Sequence, residues 1–262
     1  MMNIVSWNIN GLKSCLNKGL ADFIKTDKSD IYCFQESKIS EENFDQLQNC
    51  LFPVFYGYNA YNFAASTRKG YSGLVILSKN TPIKVTNGLG IKGFDEEARV
   101  QIAEYPSFFL INTYVPHPRA DFSRLEYKMS FCESLLKLAS ELKQKKKVVL
   151  AGDFNVAHTN LDLQNPKMNK GSPMFSLIER AWVDKVIENN FFDVFRYLYP
   201  EKESYSWFPY SINNIAREKN KGWRIDYFFL DIRFKGSVQE LTHLKNISGS
   251  DHVPLKIVMG EI

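Results

Sequence analysis

The chain has 262 residues, of which 44% are hydrophobic, 24% charged and 14% aromatic. That composition excludes collagen-like, low-complexity and disordered chains, and about 70–75% of the unfolded surface can be buried at this length. Lys and Arg number 33 against 29 Asp and Glu, and the net charge of +4 is too small by itself to argue for a nucleic-acid partner. No apolar run approaches the roughly 18–20 residues of a membrane span. The opening Met-Met-Asn-Ile-Val-Ser-Trp-Asn lacks the basic and long apolar regions of a secretory signal. Cys15, Cys33, Cys50 and Cys132 follow no zinc or Cys-x-x-Cys spacing, so a reduced chain in a cytoplasmic or other intracellular compartment is expected.

In chain order, short apolar runs alternate with helical patterns. Residues 4–6 read as a strand ending at Trp7 and Asn8, residues 20–24 as a helical turn, and 31–34 as a buried strand. Residues 73–77, 99–104 and 108–114 read as strands. Leu125, Met129, Cys132, Leu135, Leu136, Ala139 and Leu142 recur at helical spacing over 124–142. The basic run 145–147 suits the end of that helix. A wholly apolar strand follows at 148–151, a helix at 178–188, and late strands at 224–230 and 253–258. Trp7 and Trp182 are read as core, and His158 and His243 as structural. There is no repeat, no linker and no good place to divide the chain, so residues 1–262 are expected to form a single domain of two sheets with helices outside. Monomer is the default expectation.

Polar residues gather around these runs: Asn8 and Asn10, Gln35 and Glu36, Tyr114 and His117, and Asp153 and Asn155 follow strands, Asp226 lies inside the strand at 224–230, and Asp251 and His252 immediately precede the last strand. Such a distribution suits a site on the rim of a sheet framework. Glu36, Asp153, Asp226 and Asp251 each adjoin an apolar strand, where an unpaired charge is costly. Any one of them is explained by a Lys or Arg partner. Together, and with no Cys or His cluster, they favour Mg²⁺ or Mn²⁺, a Lewis acid toward phosphoryl oxygens. His252, after the Gly249-Ser250-Asp251 turn, can hold or move a proton, with Asp226 the candidate orienting partner. Asn8, Asn155, Asn165 and Asn169 offer neutral hydrogen bonds to phosphate oxygens, although Asn165 and Asn169 serve equally well as strand terminators. Walker, dinucleotide and nucleophile-elbow motifs are absent, leaving metal-assisted attack of water on a phosphodiester as the best fit. Arg68-Lys69-Gly70-Tyr71 is a basic, aromatic turn. Residues 205–224 interleave Tyr205, Trp207, Phe208, Tyr210 and Trp223 with Arg217, Lys219, Lys221 and Arg224. Cations and exposed aromatics suit a nucleic acid, and a solvated loop over an aromatic core suits the window equally well.

The motifs extend over nearly the whole chain. They are Ser-Trp-Asn-Ile-Asn-Gly-Leu at 6–12, Gln-Glu-Ser-Lys at 35–38, Lys-Gly-Tyr-Ser-Gly at 69–73 and Thr-Tyr-Val-Pro at 113–116. Arg-Leu-Glu-Tyr at 124–127, Gly-Asp-Phe-Asn-Val-Ala-His at 152–158 and Asp-Leu-Gln-Asn-Pro-Lys at 162–167 follow. Gly-Trp-Arg-Ile-Asp-Tyr at 222–227 and Gly-Ser-Asp-His at 249–252 complete the set. In this order they resemble the exonuclease III family of apurinic/apyrimidinic endonucleases, within the deoxyribonuclease-I-like endonuclease/exonuclease/phosphatase superfamily. The resemblance implies an α/β fold, a four-layer sandwich of two mixed sheets, and Mg²⁺-dependent incision of DNA 5′ to an abasic site, leaving a 3′-hydroxyl. It allows 3′–5′ exonuclease and 3′-phosphatase action as well. Its partner is double-stranded DNA with abasic sites or blocked 3′ ends, and no membrane.

Carried over by motif position, Glu36 resembles the principal metal ligand, with Asn10 and Asp251 nearby. Asp153 would orient or deprotonate the attacking water beside Asn155. His252, held by Asp226, would contact the scissile phosphate, helped by Tyr114 and Asn8. Trp207, Trp223 and Ile225 would line a pocket for the extruded sugar. Arg68, Lys69, Tyr71, His117, Asn165 and Asn169 would meet the strand. Asn10, His117, Ala120 and Ser172-Pro173-Met174 depart from common family residues, which bears on duplex grip and on the balance among the activities. The rivals are another phosphodiesterase of the superfamily, a specialised 3′-end-processing enzyme, and a non-catalytic DNA-binding module.

Overall fold

The computed structural model describes the chain except residues 52–54, 56, 210–212, 261 and 262, so Tyr210 lies outside the described residues. The first sheet contains β1 (Met2–Asn8), β2 (Ile31–Gln35), β3 (Asn59–Phe63), β4 (Leu74–Ser78), β11 (Val238–His243) and β12 (Leu255–Met259). The second contains β5 (Lys84–Asn87), β6 (Val100–Glu104), β7 (Phe108–Tyr114), β8 (Lys147–Asp153), β9 (Phe191–Asp193) and β10 (Asp226–Asp231). Their orders are β11-β12-β1-β2-β4-β3 and β5-β6-β7-β8-β10-β9. Both sheets are mixed: β1 and β2 run parallel, as do β7 and β8, and the remaining neighbours run antiparallel. Among the described residues, no helix is long and apolar enough to cross a membrane.

The central strands read as continuous apolar runs because both of their faces are covered. Ile4, Ile31, Cys33, Ile76, Leu110, Val149, Ala151, Phe228 and Leu230 meet between the sheets. Val5, Trp7, Tyr32, Phe34, Val75 and Leu77 face the opposite way, onto the helix Ala21–Asp27 and its neighbours. Ile111, Val148, Leu150, Tyr227 and Phe229 do the same in the second sheet, under the helices Leu125–Lys143 and Leu177–Glu188. The result is four layers, helix–sheet–sheet–helix, as expected.

Strand side chains alternate with period two, so the inner face can be followed residue by residue. It runs Ile4, Ser6, Asn8 on β1 and Ile31, Cys33, Gln35 on β2. On the other sheet it runs Leu110, Asn112, Tyr114 on β7, Val149, Ala151, Asp153 on β8, and Leu230, Phe228, Asp226 on β10. Every inner row therefore turns from apolar to polar toward the same end of the sandwich. At the transition Gln35 Nε2 crosses between sheets to Asn112 Oδ1 at 2.8 Å and also reaches Ser6 Oγ at 3.1 Å.

The cores of the expected elements are present and their ends move by one to three residues. Residues 108–114 match β7, and the expected strand at 224–230 begins at Asp226 instead. Edge strands β3, β5 and β11 are polar or half exposed, so apolar runs do not announce them. The helix Glu41–Leu51 was also not anticipated.

Candidate active site

Pairing register brings the polar ends together. Asn8 pairs with Gln35 across the parallel β1–β2 ladder, and Tyr114 pairs with Asp153 across β7–β8. Asp226 opens β10 opposite Asp153, while Asp251 and His252 lead into β12 beside β1. Three of the chain reversals put non-glycine residues in the left-handed region: Asn10 (φ 47°), Glu36 (φ 52°) and Asn155 (φ 49°). Bent backbone of this kind is sparsely populated unless the surroundings hold it.

Asn8 joins the two sheets. Its Nδ2 donates to Glu36 Oε1 at 2.8 Å and to Asp153 Oδ2 at 2.9 Å. Its Oδ1 accepts the Asn10 backbone N–H at 3.0 Å. Asn10 Nδ2 donates to Asp251 Oδ1 at 2.9 Å, and Trp207 Nε1 donates to Asp251 Oδ2 at 3.0 Å. Asp153 Oδ1 accepts the Asn155 N–H at 2.8 Å. His252 Nδ1 lies 2.9 Å from Asp226 Oδ2, and its Nε2 lies 3.8 Å from Asp153 Oδ2. Asp226 is set from behind by Ser206 Oγ, which accepts the backbone N–H groups of Ile225 and Asp226, both at 3.1 Å.

Charge follows from this packing. Burial and the neighbouring Asp226 charge push the Asp153 carboxyl up to about 7, against the pull of His252. Burial opposes the His252 imidazolium, yet Asp226 and Asp153 raise it to about 10, so it is protonated at neutral pH. Burial also acts against the charge on Glu36, but Lys38 and the Asn8 amide hold it below the usual carboxylate range. Burial and the Glu36 carboxylate push the Tyr114 hydroxyl well above its ordinary value, which makes it a neutral donor.

The donor set fits a hard divalent cation. Ligand atoms of Asp153, Asp226 and His252 all lie within 4.8 Å of one another. His252 Nδ1 is engaged by Asp226 Oδ2 at 2.9 Å, so the oxygen donors around it are the better ligands for a hard cation. Lys38 Nζ rests on Glu36 Oε2 at 2.9 Å and also bonds Asn10 Oδ1. Those two oxygens therefore already converge on one positive charge.

The expected sugar-pocket residues also meet. Trp207 and Trp223 are bridged, Trp207 is bridged to His252, and both tryptophans pack with Ile225, Met174 and Phe175. Tyr71 lies in a network: its hydroxyl accepts from Arg99 Nη2 and Arg124 Nη1, both at 2.8 Å, and Arg99 stacks over Tyr114. Arg68 and Lys69 are exposed beside it. His117 Nδ1 accepts the Arg119 N–H at 2.9 Å, and burial with nearby Lys128 lowers its pKa. Asn165 is exposed at φ 54°, whereas Asn169 Nδ2 is occupied by the carbonyls of Gln164 and Asn165.

Several expectations change. Arg224 is turned inward onto Asp162 and Asp193, both at 2.7 Å, and is not available to a phosphate. Arg217 is spent on the carbonyls of Ile247, Ser250 and His252, where it braces the loop that carries Asp251. Tyr205 and Phe208 are core. His158, expected to be structural, pairs with Asp184 at 2.7 Å, outside the rim. Lys38, Arg99, Ser206 and Lys128 were missed as contributors to the site. The clearest available signal was Lys128, a charge on the apolar face that Leu125 and Cys132 define.

Comparison with known proteins gives the same picture. The sequence profile of the endonuclease/exonuclease/phosphatase family matches residues 5–252. The chain is 38% identical to an exodeoxyribonuclease of Bacillus subtilis over 260 residues, covering 98% of this chain and 99% of that one. It is 37% identical to a DNA-(apurinic or apyrimidinic site) endonuclease of Dictyostelium discoideum, covering 98% and 70%. Among solved structures it resembles an AP endonuclease from Archaeoglobus fulgidus, with TM-score 0.87, 28% identity and 99% of both chains covered. It also resembles a 3′ phosphatase from Neisseria bound to a product DNA hairpin, with TM-score 0.88, 25% identity and 100% of both chains covered. The chain belongs to the endonuclease/exonuclease/phosphatase family, among its exodeoxyribonucleases and AP endonucleases, and is a DNA-repair nuclease that hydrolyses phosphodiester bonds.

Proposed function

We propose that this protein is a Mg²⁺-dependent phosphodiesterase that incises duplex DNA on the 5′ side of an abasic site and leaves a 3′-hydroxyl, with secondary activity at 3′ ends. The observation that carries this reading is the junction at Asp251. One of its oxygens bonds Asn10 in the acidic rim, and the other bonds Trp207 in the aromatic cluster. A reacting phosphate and an extruded sugar can thus be held side by side.

A divalent ion bound here would supply Lewis-acid stabilisation of charge on the phosphoryl oxygens. Glu36, Asn10 and Asp251 would hold it, supported by Asp153 and Asn155. Asp153, balanced near neutrality, orients the attacking water and takes its proton. His252 stays an imidazolium because Asp226 faces its Nδ1, leaving Nε2–H to donate to a phosphate oxygen. Tyr114 adds a neutral donor, and Asn8 holds Glu36 and Asp153 in place with its amide. Arg68, Lys69, Tyr71, His117, Asn165 and Asn169 follow the DNA strand, and Trp207, Trp223 and Ile225 receive the abasic sugar. A nucleotide without a base loses less stacking and pairing on extrusion, which favours it over an intact one.

The test is gel-resolved cleavage of a duplex carrying one central abasic analogue, with Mg²⁺ and with EDTA, beside an intact duplex and a 3′-phosphate end. Metal-dependent incision immediately 5′ to the lesion is expected. Trimming or dephosphorylation of 3′ ends without incision at the lesion overturns the assignment in favour of a strand-end enzyme. That second reading is favoured by the likeness to the Neisseria 3′ phosphatase.

A further inference from the structure

An ion pair lies behind the rim, with 1% of the Lys128 side chain and none of the Glu179 side chain exposed. Lys128 Nζ donates to Glu179 Oε1 at 2.6 Å and to the backbone carbonyl of Asn155 at 2.6 Å. Glu179 is also the capping residue of the helix Leu177–Glu188, accepting the Ser176 hydroxyl at 2.6 Å and the Ser176 N–H at 3.3 Å. Its Oε1 accepts the Met174 N–H at 3.3 Å as well, and Met174 packs in the cluster with Trp207 and Trp223. Burying two charges costs several kcal/mol each, and an apolar pair of similar volume is often as stable. What an apolar pair cannot do is donate a charged hydrogen bond to the Asn155 carbonyl.

Asn155 is otherwise fixed through its N–H to Asp153 Oδ1 at 2.8 Å and its Nδ2 to the Val115 carbonyl at 2.9 Å. Its Oδ1 accepts no protein hydrogen bond among the described residues and is the atom left to act in the site. We infer that Lys128, charged and anchored by Glu179, is a positioning residue: it holds Asn155 in its left-handed turn and thereby sets both Asn155 Oδ1 and Asp153. The same carboxylate ties the Met174–Ser176 backbone to this point, so the Trp207–Trp223 cluster and the reacting groups share one anchor. The inference rests on the proposed roles of Asp153 and Asn155.

Lys128→Met alone strands a buried carboxylate and is expected to fold poorly. The informative variant is Lys128→Met/Glu179→Leu, which removes both charges. Assayed on abasic duplex well below its own Tm, it should lose about 10- to 100-fold in kcat, while KM and DNA affinity stay within about twofold. Hydrogen exchange of the Asn155 amide should quicken. The kcat loss should shrink when the pair is replaced in an Asn155→Ala background, because Asn155 Oδ1 is then already gone and only the backbone hold on Asp153 is left to lose. Wild-type kcat in the double variant, the same loss in the Asn155→Ala background, or unchanged Asn155 exchange overturns the inference. If the wild-type protein itself does not incise abasic DNA, the functional reading fails instead, and the exchange measurement still decides whether the pair holds Asn155.

Discussion

Asp153 and His252 carry opposite demands within one buried group. Asp153 faces Asp226 across the β8–β10 ladder, and burial makes that proximity costly, while His252 keeps its proton because the two carboxylates surround it. Replacing Asp153 with Asn removes one charge from this cluster and keeps the shape. Turnover is expected to fall by roughly 10²–10⁴ with Tm unchanged or higher. His252→Ala should cost about 10²–10³ in kcat with DNA binding retained. A Tm loss as large as the rate loss, read by calorimetry beside single-turnover cleavage, contradicts both assignments. Trp223 touches the pocket cluster rather than the acidic rim. Trp223→Ala should therefore lower the ratio of abasic to intact-duplex cleavage by about tenfold or more and leave the Mg²⁺ requirement unchanged. An unaltered ratio removes Trp223 from the pocket.

Between elements, the decisive contact is the parallel pairing of β7 and β8. Gly152 sits in it at φ 150°, and a Cβ there would lie 1.9 Å from the Thr113 carbonyl oxygen. Glycine is thus required at this point for strand approach as well as for its backbone conformation. Gly152→Ala should destabilise the fold by about 3 kcal/mol or more, measured by urea denaturation, and should displace the neighbouring Asp153. A variant of native stability contradicts this account. The same ladders explain which strands were legible. β7 and β8 are covered on both sides and read as apolar runs, whereas β5 is exposed along most of its length and carries no such signal.

Across the molecule, stability and pH are linked through groups far from the rim. His243, on the edge strand β11, stacks on Phe195 with ring centroids 4.7 Å apart and meets Ser204 Oγ at 3.0 Å. Its Nε2 is shut off from solvent and has no hydrogen-bond partner among the described residues, and burial with nearby Arg224 lowers its pKa to about 3. An unfolded histidine takes a proton near 6.5. The folded state refuses that proton until about pH 3, so this residue's contribution, full above 6.5, is lost progressively as pH falls from 6.5 toward about 3. The slope is at most about 1.4 kcal/mol per pH unit. His243→Gln should narrow the drop in Tm between pH 7.5 and pH 5, and equal drops in variant and wild type rule the effect out.

Much of the site was present in the sequence because strand chemistry is local. Apolar runs that end in Asn8, Glu36, Tyr114 and Asp153 reveal their own polar tips, and the Gly249-Ser250-Asp251-His252 turn announces an acid beside an imidazole. The α/β layering followed from the same alternation of patterns. Tertiary structure alone decided which tips face each other, because register joins residues as far apart as Asn10 and Asp251. It also decided which cations are free. Arg217 and Arg224 stand among exposed lysines in the sequence, yet they are consumed by carbonyls and buried carboxylates. Lys128 was hidden for the same reason: helical spacing marks its face as buried, but only packing brings Glu179 and the Asn155 carbonyl to its ammonium. Local pattern determines where a side chain points, and the long-range pairing of charges determines what it can do.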